Sequence, residues 1–276
     1  MRLFVTGAAG YIGTAVVREL IHAGHQVVGL TRSESGADIL QGLGADVQRG
    51  VLEDLDCLRS SAAASDGVIH LAFNHDFSDF AGSLATDLRA IEAIGAGLEG
   101  SGKPLVITAH ANGQASEAAA FAFAERGVRS SVVSLAPSVH GVGDKGFVLR
   151  LIQIARERGA SAYIGDGTNR WPAIHRLDAA ALFRLAVESA PAGARLDGVD
   201  DEAIPLRDIA DIIGRHLNVP VVSIPREEAE SYFGFLGLVA SLDMPRSSEK
   251  TQELLGWKPA QPGLISDLEQ GHYFNS

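Results

Sequence analysis

Three glycines near the start of the chain are spaced as a phosphate-binding turn requires. Gly7, Gly10 and Gly13 follow a short apolar run, Leu3 to Val5, that is typical of a buried strand. Glycines let the backbone approach a pyrophosphate, and the N-terminus of a following helix offers it unpaired N–H groups. This spacing predicts a dinucleotide site, although glycines needed only for helix–strand packing would have the same spacing. The predicted contacts of the turn are Gly7, Ala9, Gly10, Tyr11, Ile12 and Gly13.

Two histidines and a threonine follow predicted strands, where parallel sheets place their chemistry. Thr108 ends one such strand, His110 lies two residues beyond it, and His75 lies just past an earlier strand. Imidazole exchanges protons near neutral pH, so these histidines are candidate general acids or bases. We predict His75, His110 and Thr108 as catalytic residues. A structural role at a polar rim is the alternative for each histidine, and His70, inside its strand, is expected to be a hydrogen-bonded core residue.

Other polar residues are candidates for holding a substrate. Arg170 and Trp171 follow a glycine turn; an arginine binds carboxylate or phosphate, and a tryptophan supplies a flat wall. We predict that Asn74, His140, Arg170 and Trp171 contact the substrate. The alternative is a tryptophan that packs inside its lobe beside a solvated arginine. No histidine, cysteine and carboxylate set has metal-ligand spacing, so no metal is predicted.

Strand-like and helix-like segments alternate through the first half of the chain. This alternation predicts right-handed crossovers and an α/β fold, a Rossmann-like doubly wound parallel sheet with a small C-terminal substrate lobe. After the first strand, further strands are predicted at 26–30, 45–48, 67–71, 104–108 and 130–135, with helices at 79–99 and 116–125.

The alternation changes after Pro137. Helices are predicted at 147–158, 178–189 and 206–217, followed by a strand at 219–224 and a loop-rich tail. We assign residues 1–137 to an NAD(P)-binding Rossmann domain and residues 138–276 to the substrate lobe, which contributes some elements back to the sheet.

The composition limits the class of protein. The 276 residues are 46% hydrophobic and 21% charged, as in ordinary globular proteins. A net charge of −11 argues against a nucleic-acid partner, because nothing would neutralise the phosphates. Cys57 is the sole cysteine, which excludes an intrachain disulfide and fits a reducing, cytoplasmic location. No apolar run approaches the roughly 18 residues of a membrane span, so no membrane partner is expected. A homodimer is left open.

With these motifs in order, the chain resembles the extended short-chain dehydrogenase/reductase family, also called the NAD-dependent epimerase/dehydratase family. Residues 6–13 resemble its TGxxGxxG turn, and residues 66–72 its fourth-strand segment under the cofactor. Residues 136–141 resemble its motif that reaches the nicotinamide, and residues 163–167, 175–178 and 255–259 resemble landmarks of its substrate lobe. The further cofactor contacts that the resemblance implies are Leu71, Ala72, Phe73, Pro137 and Val139.

The chain departs from the family at its usual catalytic groups. The family places a Ser or Thr after the fifth strand and a Tyr-x-x-x-Lys on the next helix. Here Ala109 occupies the position assigned to the serine, with Thr108 beside it, and no tyrosine lies between Tyr11 and Tyr163. The resemblance therefore implies an atypical member in which the standard proton relay is absent.

The residues at the end of the second predicted strand indicate whether NAD(H) or NADP(H) is the preferred cofactor. NAD-preferring sites often place an acid there, bonded to the ribose hydroxyls. Arg32 stands in that region, and an arginine pairs with a 2′-phosphate, so NADP(H) is favoured over NAD(H). The family's aspartate after the third strand is also missing, and Leu52 is expected to contact the adenine end.

Three functions fit these residues. The first is an NADP(H)-binding oxidoreductase or epimerase-like enzyme that acts on a small polar molecule with a non-standard proton relay. The second is a non-redox isomerase or lyase on the same fold, since the fold does not dictate the chemistry. The third is a non-catalytic NADP(H)-sensing protein. The missing tyrosine and lysine favour the last two, whereas the retained substrate lobe favours an enzyme.

Overall fold

The computed structural model describes residues 1–75 and 79–275. Its strands are β1 (Arg2–Thr6), β2 (Gln26–Thr31), β3 (Asp46–Arg49), β4 (Gly67–His70), β5 (Pro104–Thr108), β6 (Arg129–Leu135), β7 (Ser138–His140), β8 (Ser161–Ile164), β9 (Arg170–His175), β10 (Ala194–Gly198), β11 (Asp201–Pro205) and β12 (Val221–Ile224). Its α-helices are α1 (Tyr11–His22), α2 (Glu34–Gly42), α3 (Leu55–Ala63), α4 (Phe80–Leu98), α5 (Gln114–Glu125), α6 (Phe147–Arg158), α7 (Arg176–Ser189), α8 (Leu206–Leu217), α9 (Ala229–Phe233), α10 (Leu236–Ala240), α11 (Glu249–Leu255) and α12 (Leu264–Glu269).

The chain divides into two compact units that are not continuous in sequence. Unit 1 comprises Met1–Ser134, Ala179–Leu196 and Lys250–Lys258. Unit 2 comprises Leu135–Asp178, Asp197–Glu249 and the chain from Pro259 onward. Most of α7 therefore belongs to the unit that contains the glycine turn.

A seven-stranded sheet organises unit 1, in the order β3-β2-β1-β4-β5-β6-β10. Strand β1 runs parallel to both of its neighbours, with Val5 opposite Gly29 on β2 and Thr6 opposite His70 on β4. The last four residues of β1 are buried, as a continuous apolar run in a parallel sheet requires. The predicted Rossmann-like α/β fold is confirmed. The strand order reverses between β1 and β4, the point where open α/β sheets bind their ligands.

Helices α3, α4 and α5 cover part of this sheet with an apolar core. Helix α4 is the longest of them and presents Ala90, Ile91, Ile94 and Leu98 to that core. The same helix also buries Asp87, a charged residue that needs partners in such surroundings. The groups that bind the Asp87 carboxylate therefore constrain the geometry at the ends of β1 and β4.

Unit 2 has two small sheets and its own core. One sheet has the order β11-β9-β7, with β7 parallel and β11 antiparallel to β9, and the other pairs β8 with β12 in parallel. Helix α8 is strongly amphipathic and buries Ile209, Ile212 and Ile213 against this core. Trp171 and Phe233 are buried in the same cluster.

The helical periodicity locates the longer elements well. Helices 147–158 and 206–217 have the predicted bounds, whereas α7 begins at Arg176, two residues before the prediction. The pattern gave no helices at α2 and α3, and the tail predicted to be loop-rich contains the four helices α9 to α12. No helix among residues 1–75 and 79–275 has both the length and the apolar character that crossing a membrane requires.

Candidate functional site

The glycine turn between β1 and α1 is built on close backbone contacts. Gly7 has φ +66°, a conformation that side chains disfavour, and its carbonyl accepts a hydrogen bond from the Gly10 N–H at 2.9 Å. A Cβ on Gly7 would lie 2.7 Å from the backbone nitrogen of Ala72, and one on Gly13 would overlap the Gly7 carbonyl. Gly7 and Gly13 are therefore required by the packing of the turn itself.

Gly10 has a different environment. It is exposed, and a Cβ there would meet only the Gly7 carbonyl, at 3.1 Å. Gly10 is also the N-cap of α1, where no side chain caps the helix and no acid stands in the first turn. The first N–H groups of a helix lack helical partners and attract anions. The glycine turn and the start of α1 together form a phosphate cradle that fits the pyrophosphate of a dinucleotide. The backbone N–H groups of Tyr11, Ile12 and Gly13 would be its donors, and Ala9 forms part of its wall.

A buried chain of hydrogen bonds fastens the ends of β1 and β4. The Thr6 hydroxyl lies 2.8 Å from His70 Nδ1, and His70 Nε2 lies 3.1 Å from an Asp87 carboxylate oxygen. The Ser116 hydroxyl donates to the other oxygen of Asp87 at 2.6 Å. The Ala72 N–H donates to Thr6 Oγ1 at 3.3 Å. A proton on His70 Nε2 satisfies all of these groups, so the expectation of a hydrogen-bonded core histidine is confirmed.

The chain of hydrogen bonds keeps Asp87 ionised. Burial alone would raise the pKa of this carboxyl. The hydrogen bonds from His70 and from the Ser116 hydroxyl outweigh burial and hold the pKa of Asp87 below its usual value. A negative charge is thus fixed inside unit 1, below the ends of β4 and β5.

His110, Phe73 and Thr108 lie together at those strand ends. The rings of His110 and Phe73 are 4.2 Å apart between centroids, and the Thr108 hydroxyl donates to the His70 carbonyl at 3.3 Å. Burial lowers the pKa of His110 to about 4, against the opposing attraction of Asp87. Its Nε2 is buried and has no hydrogen-bond partner among the described residues. His110 is therefore a neutral ring with one unused polar atom.

The remaining predicted residues of unit 1 lie around this group. His75 is exposed and meets the Phe73 ring edge-on, with centroids 5.4 Å apart, while the Asn74 amide donates to Glu53 at 3.4 Å. Leu71 and Ala72 are the residues that Gly7 approaches. The structure thus brings the glycine turn and the residues after β4 and β5 together within one unit.

The end of β2 carries the predicted cofactor-selecting residue. Arg32 follows β2 and is exposed, directly before Ser33, whose side chain caps α2 by accepting from the Gly36 N–H. Arg49, at the end of the neighbouring strand β3, is paired with Glu34. Leu52 is buried in the core beneath this edge of the sheet.

The predicted residues of unit 2 are held by other partners. His140 has no exposed surface, and its Nδ1 lies 2.9 Å from Asp267. It ends β7, the strand that contains Val139 and begins just after Pro137. The structure places Trp171 in the apolar core, with 0% exposure and its ring beside Phe147, rather than at a surface where a substrate would meet it.

Arg170 points the other way from Trp171 and is paired. Its guanidinium binds both carboxylate oxygens of Asp243, at 3.0 Å from Nε and 2.8 Å from Nη2. The pair lines a cavity of about 520 Å³ in unit 2. The sequence did not identify Asp243, because nothing in its local pattern shows a partner 73 residues away.

Sequence reasoning also missed Asp87 and Ser116. The one local signal was an aspartate on the face of α4 that is otherwise apolar, which is rare unless the charge has partners. The groups that satisfy it are 17 and 29 residues away, beyond the reach of any local pattern. No cluster of histidine, cysteine and carboxylate side chains within the described ranges is arranged to hold a metal ion.

A family model adds to this geometry. The model described as the NAD dependent epimerase/dehydratase family matches residues 3–88, which include the glycine turn, His70 and Asp87. The chain belongs to the NAD-dependent epimerase/dehydratase family.

Two fungal relatives extend the similarity over the whole chain. An uncharacterized protein of Schizosaccharomyces pombe is 47% identical over 295 residues, covering 99% of this chain and 100% of the relative. One of Saccharomyces cerevisiae is 44% identical over 301 residues, covering 100% of both. Both alignments are longer than this chain of 276 residues, so these relatives contain residues that it lacks. A 2-alkyl-3-oxoalkanoate reductase of Stenotrophomonas maltophilia is 29% identical, over 80% of this chain and 77% of its own.

Solved structures of the epimerase/dehydratase type share the fold at low sequence identity. A dTDP-glucose 4,6-dehydratase of Streptomyces venezuelae with NAD bound has a TM-score of 0.78 and 16% identity, covering 99% of this chain and 97% of its own. A UDP-glucose 4-epimerase of Thermotoga maritima with UDP-glucose has a TM-score of 0.76 and 19% identity, covering 99% and 98%.

The lowered pKa of His110 should make the stability of the protein depend on pH. The unfolded ring takes up a proton near pH 6.5, whereas the folded ring does so only near pH 4. Between these values the unfolded chain binds the extra proton, so acidification favours unfolding, by roughly 3 kcal/mol in total. We expect the free energy of unfolding in urea to fall between pH 6.5 and 4, and to fall less in His110→Phe, which keeps an aromatic ring.

The control for this measurement is Thr108→Val, which removes a neighbouring hydroxyl but no titrating group. It should retain the pH dependence of the wild type. An unchanged dependence in His110→Phe would show that another group is responsible.

Proposed function

We propose that this protein is an NADP(H)-binding oxidoreductase or epimerase-like enzyme that acts on a small polar molecule through a non-standard proton relay. One observation carries the proposal. In unit 1, an uncapped helix N-terminus behind a glycine turn lies at the same sheet edge as the polar residues that follow β4 and β5. Membership of a family of NAD-dependent epimerases and dehydratases supports a nicotinamide cofactor at that edge.

The residues that would hold the cofactor have distinct tasks. The N–H groups at the start of α1 would bind the pyrophosphate, and the open space at Gly10 would admit it. Leu71, Ala72 and Phe73 would lie under it, with Pro137 and Val139 as the proposed contacts of the nicotinamide end. The bound cofactor supplies a hydride acceptor or donor; all proton movements fall to the protein.

Arg32 supports a phosphorylated cofactor. Its guanidinium is exposed at the end of β2, where an acid would instead bond the ribose hydroxyls. Glu34, the acid that follows Arg32 most closely in the sequence, is not available to bond the ribose hydroxyls, because it is paired with Arg49. A 2′-phosphate beside Arg32 would gain a charge-assisted contact that the hydroxyl of NAD(H) lacks.

The proposed relay divides two tasks between histidines. A carbonyl oxygen that receives a hydride on its carbon becomes an alkoxide, which must be stabilised and protonated. His110 is neutral at neutral pH because of its burial, so it suits hydrogen bonding to that oxygen rather than delivery of a proton. His75 is exposed to water, which suits a proton donor that is recharged from the solvent. Thr108 assists at the same strand end.

Gly10→Val tests the phosphate cradle. We expect cofactor affinity to fall by at least about tenfold, because the isopropyl group would fill the space that the pyrophosphate needs. The fold should survive, since the backbone of Gly10 is extended at φ −77° and ψ 178°. Quenching or enhancement of NADPH fluorescence measures the affinity. Gly42→Val, on open space at the end of α2, is the control, and normal binding by Gly10→Val would refute the assignment.

Arg32→Asp tests the cofactor preference. The wild type should bind NADPH more tightly than NADH, on the order of tenfold for one charge-assisted contact, and the variant should reverse the order. Arg18→Asp changes the charge equally at an exposed position of α1 and should leave the preference unchanged. Equal affinity of the wild type for the two cofactors would contradict the proposal.

His75→Ala and His110→Ala test the relay. Loss of a proton donor typically lowers turnover by about 10²–10⁴-fold, and NADPH affinity should stay nearly constant. The measurement is NADPH oxidation with a panel of small carbonyl compounds, with His22→Ala on the exposed face of α1 as the control.

Full turnover in both variants would route the relay through other groups or through water. Tight NADPH binding without turnover of any compound would instead favour a non-catalytic sensor. An isomerisation that proceeds at the full rate in protein freed of NADP(H) would favour a non-redox isomerase or lyase.

A further inference from the structure

The cavity of about 520 Å³ in unit 2 has the size of a small-molecule site, and its charges cancel. Two arginines, Arg170 and Arg226, and two aspartates, Asp166 and Asp243, line it. A free arginine in such a cavity would bind a phosphate or carboxylate through its two parallel N–H groups. Whether Arg170 is free therefore decides which ligands the cavity accepts.

Arg170 is not free. Asp243 accepts from its Nε at 3.0 Å and from its Nη2 at 2.8 Å, which uses one of the edges through which a guanidinium binds an anion with two parallel hydrogen bonds. Because this hydrogen-bonded guanidinium favours the ionised carboxylate, the pKa of Asp243 is lowered to about 2, and the pair persists across the physiological range. A phosphate that approaches the remaining N–H groups of Arg170 would lie close to the negative charge of Asp243, which opposes its binding.

The backbone holds Asp243 in this position. The N–H of Arg170 also donates to Asp243 Oδ1, at 2.8 Å, and the Met244 N–H donates to the Arg170 carbonyl at 2.8 Å. The Asn169 amide donates to the carbonyls of Ala240 and Leu242, at 2.8 and 3.1 Å. These bonds fasten the segment before and after Asp243 along the start of β9. The pairing is therefore built into the fold, unlike a chance meeting of two mobile side chains.

The other charged groups of the cavity are also engaged. Asp166 accepts from the Thr168 hydroxyl at 2.7 Å and from its N–H at 3.0 Å, and Arg226 Nη2 donates to the Ser241 carbonyl at 3.2 Å. Asp243 Oδ2 accepts one hydrogen bond, from Arg170, and a carboxylate oxygen has room for a second. Donation of a hydroxyl hydrogen to this oxygen is thus a polar contact that is open to a ligand.

We propose that Asp243 is a specificity residue: by pairing with Arg170 it disfavours phosphate-bearing ligands and favours an uncharged, hydroxyl-bearing substrate in the cavity. This inference rests on the proposed function, because it takes the cavity to be the place where the substrate is held. The Thermotoga maritima epimerase was solved with UDP-glucose, a ligand with a diphosphate. The substrate of this protein differs from such nucleotide sugars in carrying no phosphate.

The test is a gain of binding in Asp243→Asn. Asparagine keeps an oxygen for the Arg170 N–H but removes the negative charge. Calorimetric titrations use UDP and inorganic pyrophosphate, on protein saturated with NADPH so that the glycine turn is filled. The wild type should show no binding that depends on Arg170, and Asp243→Asn should bind both probes at least about tenfold more tightly. Added salt should weaken the gained binding.

Two further variants assign the gain to Arg170. The double variant Arg170→Met, Asp243→Asn should lose it. Glu269→Gln, which releases Arg215 elsewhere in unit 2, should not show it. UDP binding by the wild type that Arg170→Met weakens would overturn the proposal, as would an unchanged affinity in folded Asp243→Asn. If Asp243→Asn fails to fold, the comparison of wild type with Arg170→Met still decides.

Failure of this proposal and failure of the proposed function have different signatures. Titration with NADPH alone reads the glycine turn in unit 1, which contains neither Arg170 nor Asp243. A protein that does not bind NADPH would refute the proposed function. The dependence of UDP binding on Arg170 and Asp243 would then be measured without NADPH, and its outcome would still decide the role of Asp243.

Discussion

The geometry of unit 1 depends on the close approach of the Gly7 backbone to the peptide that joins Leu71 and Ala72. No side chain fits at Gly7, because its Cβ would stand 2.7 Å from a backbone nitrogen. This contact brings the turn after β1 against the chain leaving β4, where the order of the sheet reverses. Since carboxyl ends of parallel strands share one edge, whatever the α1 N-terminus binds is held beside the residues that follow β4 and β5.

The buried polar chain from Thr6 to Ser116 fixes this edge and sets its electrostatics. It links β1, β4, α4 and α5 through side chains that are almost wholly inaccessible to water, where a lost partner is costly. It also places the ionised Asp87 near His110, whose protonation that charge favours. Burial of the His110 ring is the larger effect, so the ring stays neutral although an anion lies beneath it.

The sequence predicts the parts of the fold that rest on local pattern. Glycine spacing after an apolar run and the long amphipathic helices are local, and their predicted positions agree with the structure. The local pattern does not predict helix α3, because this helix buries only Leu58 and Ala62, too few residues to give a helical periodicity. The contacts Asp87–Ser116 and Arg170–Asp243 cannot be predicted from local pattern, because they join residues 29 and 73 positions apart. Arg170 and Trp171 were interpreted as one substrate-facing pair, but neighbouring residues of a strand point to opposite faces.

In each unit a basic side chain contributes no net positive charge to its surroundings, but for a different reason. In unit 1, burial keeps His110 uncharged, and in unit 2 an ion pair cancels Arg170. A neutral imidazole still donates one N–H, so it can stabilise a developing oxyanion without a net charge in a region where burial penalises one. A proton that must be delivered then has to come from a group in contact with water. That requirement, which follows from the burial of His110, supports the proposal that the exposed His75, after the neighbouring strand, is the proton donor in a chain whose α5 contains neither tyrosine nor lysine.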